Sequence, residues 1–218
     1  MDEPNKPRFR DGIPYQALLL GGFATLATLL LVAANMATQG AIEQRQKEDL
    51  QLFLTQVIPP AQNASGLLEN KLQLPAPGGK PVTVYRGIGQ GRIKALAWEL
   101  SGKGYAGPIR LILGLDAEGK ILGVRVLSHA ETPGLGDKIE AQKDDWILGF
   151  NGLSLGDPPE ARWKVKKDGG QFDAFSGATI TPRGVVGAIR EGLRFFEAHK
   201  AELLDPPKGS QTSGRTET

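Results

Sequence analysis

The run from Asp173 to Thr179 is the part of this sequence best suited to chemistry. It spells Asp-Ala-Phe-Ser-Gly-Ala-Thr, so that a threonine hydroxyl follows a stretch of very small residues. Small residues let a backbone approach a phosphate closely. The next residues, Thr181 and Pro182, predict a helix N-cap followed by a first helical residue. Because the N-terminus of a helix favours anions, the pattern predicts a phosphate held near Thr179.

The helix that follows is predicted from hydrophobic spacing. Apolar residues recur mostly every three or four positions and predict one buried helix face as far as about Lys200. They are Val185, Val186, Ile189, Leu193 and Phe196. Arg183 would lie in the first turn, where it is well placed to meet a phosphate. The alternative is an ordinary turn capped by Thr181, and the run alone leaves that alternative open.

A second candidate loop covers residues 128–138, with the sequence Ser-His-Ala-Glu-Thr-Pro-Gly-Leu-Gly-Asp-Lys. It follows a predicted strand, and loops at strand ends often present binding groups. Thr132 offers a hydroxyl, Gly134 and Gly136 expose backbone amides, and Leu135 could lie against a flat ring. No third glycine opens a helix here, so the loop is not a dinucleotide-binding fingerprint. Taken alone, it would more often be a structural turn.

Composition excludes several classes of function. The 218 residues carry a formal net charge of +2 and include no cysteine. Without a basic stripe, nucleic acid is not an expected partner. Without cysteine, disulfides and cysteine-ligated iron–sulfur clusters are excluded. His129 and His199 lie too far apart in sequence to suggest a metal site, so none is predicted.

The N-terminal region predicts a membrane anchor. No residue between Asp11 and Glu43 is charged, and positions 17–34 are continuously apolar or small. About twenty such residues cross a bilayer. Basic residues precede the apolar run, which places the N-terminus in the cytoplasm and the rest of the chain outside. A signal peptide cleaved near Ala34 is the competing interpretation, although the run is longer than a typical signal core.

Beyond the anchor, the pattern predicts an α+β fold with a mostly antiparallel sheet. Strands are predicted at 82–85, 93–100, 109–115 and 121–127, with a hairpin turn at 116–120, a short helix at 144–150 and a brief strand at 163–165. The predicted segments are a cytoplasmic N-terminus at 1–13, a transmembrane anchor at 14–38, a juxtamembrane helix and connector at 39–80, a domain at 81–204 and a disordered tail at 205–218.

Three motifs in order closely resemble one family. They are the 131–136 loop, the segment Trp-x-x-Lys-Lys-Asp-Gly-Gly at 163–170, and the 173–179 run. The family is the G subunit of Rnf-type ion-translocating electron transport complexes, and the resemblance covers roughly residues 10 to 200. The C subunit of the sodium-pumping NADH:quinone reductase is similar in its FMN-binding domain and its loop. The short chain and the residues after both motifs favour the Rnf branch.

The resemblance implies a covalently flavinylated electron-transfer subunit of an ion-translocating oxidoreductase. FMN would be attached through its phosphate to Thr179 by a separate flavin transferase, and Asp173, Ser176, Gly177 and Ala178 would be the elements that this transferase reads. Loop residues Glu131, Thr132, Gly134 and Leu135 would contact the isoalloxazine ring. Lys164, Lys166 and Lys167 are candidates for stabilising the cofactor or its phosphate, and Lys166 is the one taken as cofactor-binding.

The complex of such a subunit passes electrons between ferredoxin and NAD and moves ions across the membrane. The chain is therefore expected to be a single-pass protein of the bacterial inner membrane, with its main domain in the periplasm and other subunits of the complex as partners. The alternatives are a C-subunit-like flavoprotein of the sodium-pumping reductase and a membrane-anchored binding module without flavin.

Overall fold

The computed structural model describes residues 13–62, 66–75 and 81–205. Its helices are α1 (Ile13–Val57) and α2 (Ile180–Leu204), and its strands are β1 (Lys71–Leu74), β2 (Val82–Gly89), β3 (Arg92–Lys103), β4 (Pro108–Asp116) and β5 (Ile121–Ser128). Five short 3-10 turns lie at Pro60–Gln62, Asp137–Ile139, Asp145–Phe150, Glu160–Arg162 and Lys166–Asp168. The chain divides into two compact units, with the boundary between Asp49 and Leu50.

The first unit contains most of α1. Its segment Ile13–Gly40 has 28 residues, a mean hydropathy of 2.2 and no buried residue. It is the one helix of the described residues that is long and apolar enough to cross a membrane. The expected N-terminal apolar helix is therefore present. The predicted cytoplasmic segment 1–13 and tail 205–218 lie almost entirely outside the described residues.

The second unit is built on a five-stranded antiparallel sheet in the order β1-β2-β3-β4-β5. The α+β fold and the four predicted strands are confirmed. Short turns make this order possible, as the β4–β5 hairpin illustrates. The Asp116 carboxylate accepts hydrogen bonds from the backbone N–H groups of Glu118 and Lys120, and Gly119 takes a φ of 91°.

Two local predictions were wrong. The connector before residue 81 contains β1, because Lys71–Leu74 pairs with the edge of β2 although Asn, Gly and Pro surround it in sequence. The brief strand predicted at 163–165 does not form. A 3-10 turn precedes it, and Val165 makes only one isolated parallel bridge, with Phe172.

Each face of the sheet is covered by a helix. On one face, α2 packs over a core of large side chains that includes Trp98, Leu113 and Phe196. On the other face, the last turns of α1 bury Leu54 and Val57. The two glycines at 114 and 123 are paired across β4 and β5 beneath Val57. A Cβ at Gly114 would lie 2.5 Å from the Val57 carbonyl oxygen, so this approach requires glycine.

The N-terminal part of α2 also lies close to β3. A Cβ built at Gly184 would stand 2.2 Å from the carbonyl oxygen of Lys103, at the end of β3. The apolar side chains of the strands and those of α2 therefore pack together, with little space between the backbones of α2 and β3. This packing fixes the start of α2, which directly follows the 173–179 run, against the end of β3.

Candidate functional site

Three loops enclose a cavity of about 340 Å³. The first wall is Tyr105, from the loop after β3. The second is the loop after β5, which contributes Glu131, Thr132, Leu135 and Gly136. The third is the backbone from Gly177 to Thr181, where the 173–179 run enters α2. Two motifs that are more than forty residues apart in sequence thus line one cavity.

The end of the 173–179 run forms a tight turn. The backbone N–H of Ala178 donates to the carbonyl of Phe175 at 3.2 Å. Gly177 has a φ of 79°, a left-handed conformation that favours glycine. The same glycine faces the second wall, since a Cβ built on it would be 3.6 Å from Leu135. The turn therefore delivers Thr179 directly to the cavity.

Helix α2 begins earlier than the sequence predicted. Ile180 is its first residue and Thr179, with φ −73° and ψ −28°, is the N-cap position, although its side chain makes no capping hydrogen bond. The prediction that Thr181 is the N-cap was wrong. Thr181 lies inside the first turn, fully buried, and its hydroxyl donates to the carboxylate of Glu131. The Thr179 hydroxyl remains free of any capping role.

One lysine contacts that hydroxyl. The Lys167 ammonium donates to Thr179 Oγ1 at 3.0 Å. Two of the other cations that the sequence placed near a phosphate are paired with carboxylates. Lys166 pairs with Asp173, at 2.6 Å. The Arg183 guanidinium holds Asp168 through two bonds of 2.7 and 2.9 Å.

The Arg183–Asp168 pair has an electrostatic consequence. Hydrogen bonding from the guanidinium lowers the pKa of the Asp168 carboxyl, and the carboxylate in turn raises the pKa of Arg183. Both groups are therefore charged at neutral pH. The pair joins the turn that carries Lys167 to the first turn of α2.

The side chain of Glu131 is buried. It is 5% exposed, one carboxylate oxygen accepts from the Ala106 backbone N–H at 3.1 Å, and the other accepts from Thr181. A Cβ at Gly104 or at Gly136 would approach the carboxylate within 3.0 Å, so both neighbours must be small. One buried carboxylate thus ties the three walls of the cavity together.

The base of the second wall is held by an ionic network. His129 accepts the Glu131 backbone N–H on Nδ1 and donates from Nε2 to Glu140 at 2.9 Å. Lys143 bridges Glu140 and Asp137, at 2.7 and 3.0 Å. The Lys143 ammonium is the main cause of the lowered pKa of Glu140, and the Gly134 backbone N–H is the main cause of the lowered pKa of Asp137. These contacts therefore hold the loop after β5 in place.

The structure brings together Glu131, Thr132, Leu135 and the segment 177–179 among the predicted site residues. Gly134, Ser176, Lys166 and Asp173 do not line the cavity. Gly136, whose backbone amide the sequence analysis had singled out, does line it, and so do Tyr105 and Ile180, which sequence reasoning missed. The position of Tyr105 in a glycine-rich loop was a signal that could have been used. Tyr105, Leu135 and Ile180 are all exposed, so the mouth of the cavity has an apolar rim.

Comparisons with known proteins show which family this chain is similar to. The family model described as FMN-binding domain matches residues 104–194, which include all three walls. The G subunit of the ion-translocating oxidoreductase complex of Cereibacter sphaeroides is 52% identical over 189 residues, covering 87% of this chain and 86% of the relative. The protein of the same name from Shewanella loihica is 44% identical over 196 residues, covering 88% and 92%. The crystal structure of Shewanella oneidensis NqrC is similar with a TM-score of 0.45 and 28% identity, covering 57% of this chain and 62% of that one.

Proposed function

Since the chain belongs to the family of G subunits of ion-translocating oxidoreductase complexes, we propose that it carries FMN as a phosphoester on Thr179 and relays electrons on the periplasmic side of the membrane. The family makes the chain an electron-transfer subunit of a translocase with an FMN-binding domain. The relatives named above are G subunits, which favours this branch over the C subunit of the sodium-pumping reductase and over a binding module without flavin.

The residues of the cavity fit FMN. Its volume of about 340 Å³ lies at the lower end of the range for ligand pockets, about 300 to 1,000 Å³, so part of the group would remain outside. A hydroxyl, a nearby ammonium and the N-terminus of a 25-residue helix suit a phosphate. Leu135, Ile180 and Tyr105 offer apolar surface for a flat ring at the mouth.

The observation that carries the proposal is that the motif threonine and the second motif loop line the same cavity. When bound, FMN supplies the electron-accepting and electron-donating chemistry. The chain retains the group through Thr179 Oγ1, so that it cannot diffuse away outside the membrane. Thr132 and Leu135 provide a wall, and the Glu131 carboxylate keeps that wall against α2. None of these residues is placed to act as a general acid or base on a substrate.

The partners are proposed on the same basis. A flavin transferase would install the cofactor and read the run that starts at Asp173. Other subunits of the complex would supply and remove electrons between ferredoxin and NAD. The segment Ile13–Gly40 would anchor the chain, with the second unit in the periplasm. The predicted bias of basic residues toward the N-terminus supports that orientation.

Thr179 substitution tests the attachment. Full-length protein made together with a flavin transferase is separated on a denaturing gel and examined for flavin fluorescence and intact mass. We expect a fluorescent band for the wild type and none for Thr179→Ala, because the alanine has no oxygen to form the ester. Thr179→Ser is the matched control and should keep the band, since it retains the hydroxyl. A colourless wild-type band, or fluorescence in Thr179→Ala, would contradict the proposal.

A further inference from the structure

Three cations lie near the 173–179 run, and they differ in their partners. Lys166 is paired with Asp173, and Arg183 is paired with Asp168. Lys167 has no carboxylate partner among the described residues, and its ammonium is directed at the Thr179 hydroxyl at 3.0 Å. The two neighbouring lysines of one 3-10 turn thus contact the two ends of the run, Asp173 and Thr179.

The turn that carries Lys167 has little freedom. The Val165 carbonyl accepts from the backbone N–H groups of Asp168, at 2.8 Å, and Gly170, at 3.1 Å. Gly169 closes the turn with a φ of 79°. A Cβ at Gly170 would stand 1.8 Å from the Lys164 carbonyl oxygen, so no other residue fits there. The Asp168–Arg183 pair then joins this turn to α2, which positions the Lys167 side chain opposite Thr179.

The Lys167–Thr179 contact contributes little free energy while the hydroxyl is neutral. An exposed ammonium is well solvated by water, and a single surface contact contributes little. The contribution rises once Thr179 carries a negative group, because the ammonium then faces an opposite charge instead of a neutral hydroxyl. The pairing of Lys166 with Asp173 has a related effect, since it neutralises the nearest carboxylate of the run, which would otherwise repel a phosphate.

We propose that Lys167 is the counter-ion for the esterification of Thr179 and for the phosphodiester that results. This inference rests on the proposed function. The donor must be an activated FMN phosphoanhydride, because ester formation from FMN itself would have to expel water. Thr179 Oγ1 forms the new bond to phosphorus, the anhydride P–O bond breaks, and the leaving phosphate keeps that electron pair. The hydroxyl proton passes to a base of the transferase, and no group is oxidised or reduced.

The chain's own contribution is electrostatic. One lone pair of Oγ1 accepts from Lys167, the other is available for phosphorus, and the hydroxyl proton is free to leave. The ammonium stabilises negative charge on Oγ1 as that proton departs. After transfer, the same ammonium faces the single negative charge of the phosphodiester.

The test measures the initial rate of flavin attachment to the full-length chain by a flavin transferase, from gel fluorescence and intact mass. We expect Lys167→Gln to slow attachment roughly tenfold or more, as expected for losing a charge-assisted hydrogen bond. Lys167→Arg should restore most of the rate because it keeps the charge. Lys120→Gln is the matched control, since Lys120 is an exposed lysine of the β4–β5 hairpin turn and does not line the cavity.

A second measurement follows the phosphorus NMR signal of the loaded protein at low and high salt. The signal should shift with salt in the wild type and in Lys167→Arg, as screening weakens the ion pair, and should stay constant in Lys167→Gln. Attachment to Lys167→Gln at the wild-type rate, or a salt-dependent signal in that variant, would overturn the inference while leaving the proposed function intact. Failure of wild-type attachment, or attachment to Thr179→Ala, would instead remove the proposed function itself.

Discussion

Glu131 is a buried carboxylate whose partners are a hydroxyl and a backbone N–H rather than a cation. Buried charges normally need full hydrogen bonding, and this one obtains it by joining the loop after β3, the loop after β5 and the start of α2. The family resemblance implied that Glu131 contacts the flavin ring. In the structure its carboxylate accepts from the Ala106 N–H and the Thr181 hydroxyl, which gives it a bracing role, and its contact with the ring stays a prediction.

Two substitutions of Glu131 distinguish a bracing role from contact with the flavin ring. Glu131→Ala leaves the Ala106 N–H and the Thr181 hydroxyl without a partner, which should lower the free energy of unfolding by about 2 kcal/mol and slow flavin attachment. Glu131→Gln can bond both groups, with the Thr181 hydroxyl rotated to accept, and should stay near the wild type in both. Denaturant unfolding and the flavin absorption spectrum are the measurements. A Glu131→Gln variant of unchanged stability but altered flavin spectrum would favour ring contact.

At the scale of the elements, the patterns that were local in sequence predicted the structure well. The four predicted strands follow from β-branched and apolar runs separated by turn residues, and the buried face of α2 follows from its apolar residues at spacings of three and four. Features that depend on distant residues were not predictable. Which lysine contacts Thr179 is decided by a 3-10 turn, and β1 exists only because the edge of β2 accepts it. The inward orientation of Glu131 depends on glycines 104 and 136, each on a different loop.

The contact between α2 and β3 gives a prediction with a built-in control. Gly184→Ala would place a methyl group 2.2 Å from the Lys103 carbonyl oxygen, so the start of α2 must move away from β3. We expect a loss of about 1 to 3 kcal/mol in the free energy of unfolding and slower flavin attachment, because the cavity walls at the start of α2 and in the loop after β3 move apart. Gly187→Ala has no neighbour within 4 Å and should be neutral or stabilising by up to about 1 kcal/mol. Equal effects of the two substitutions on denaturant unfolding would contradict this account of the packing.

At the scale of the whole molecule, the compact second unit starts before the first strand of the sheet. Leu54, Val57 and Ile58, at the end of α1 and just beyond it, are each at most 5% exposed. They cover the sheet face formed by Tyr85 and Ile112 together with two alanines of β3. The sequence placed the domain boundary at residue 81 because Gly, Pro and Asn are concentrated just before it. Composition marks that segment as a connector, but it carries no information on whether the preceding helix packs on the sheet.

Truncated fragments test where the folding unit begins. A fragment of residues 50–218 retains the helix end and should unfold cooperatively as a soluble monomer. A fragment of residues 81–218 lacks both β1 and the three apolar side chains, whose burial contributes roughly 5 kcal/mol, comparable with the whole stability of a typical domain. It should aggregate or bind a hydrophobic dye, since an apolar sheet face is exposed.

A fragment of residues 66–218 keeps β1 but not the helix end, and should behave like the 81–218 fragment if the helix end is decisive. Cooperative unfolding of 81–218 at the same denaturant midpoint as 50–218 would show that the domain begins where composition suggested.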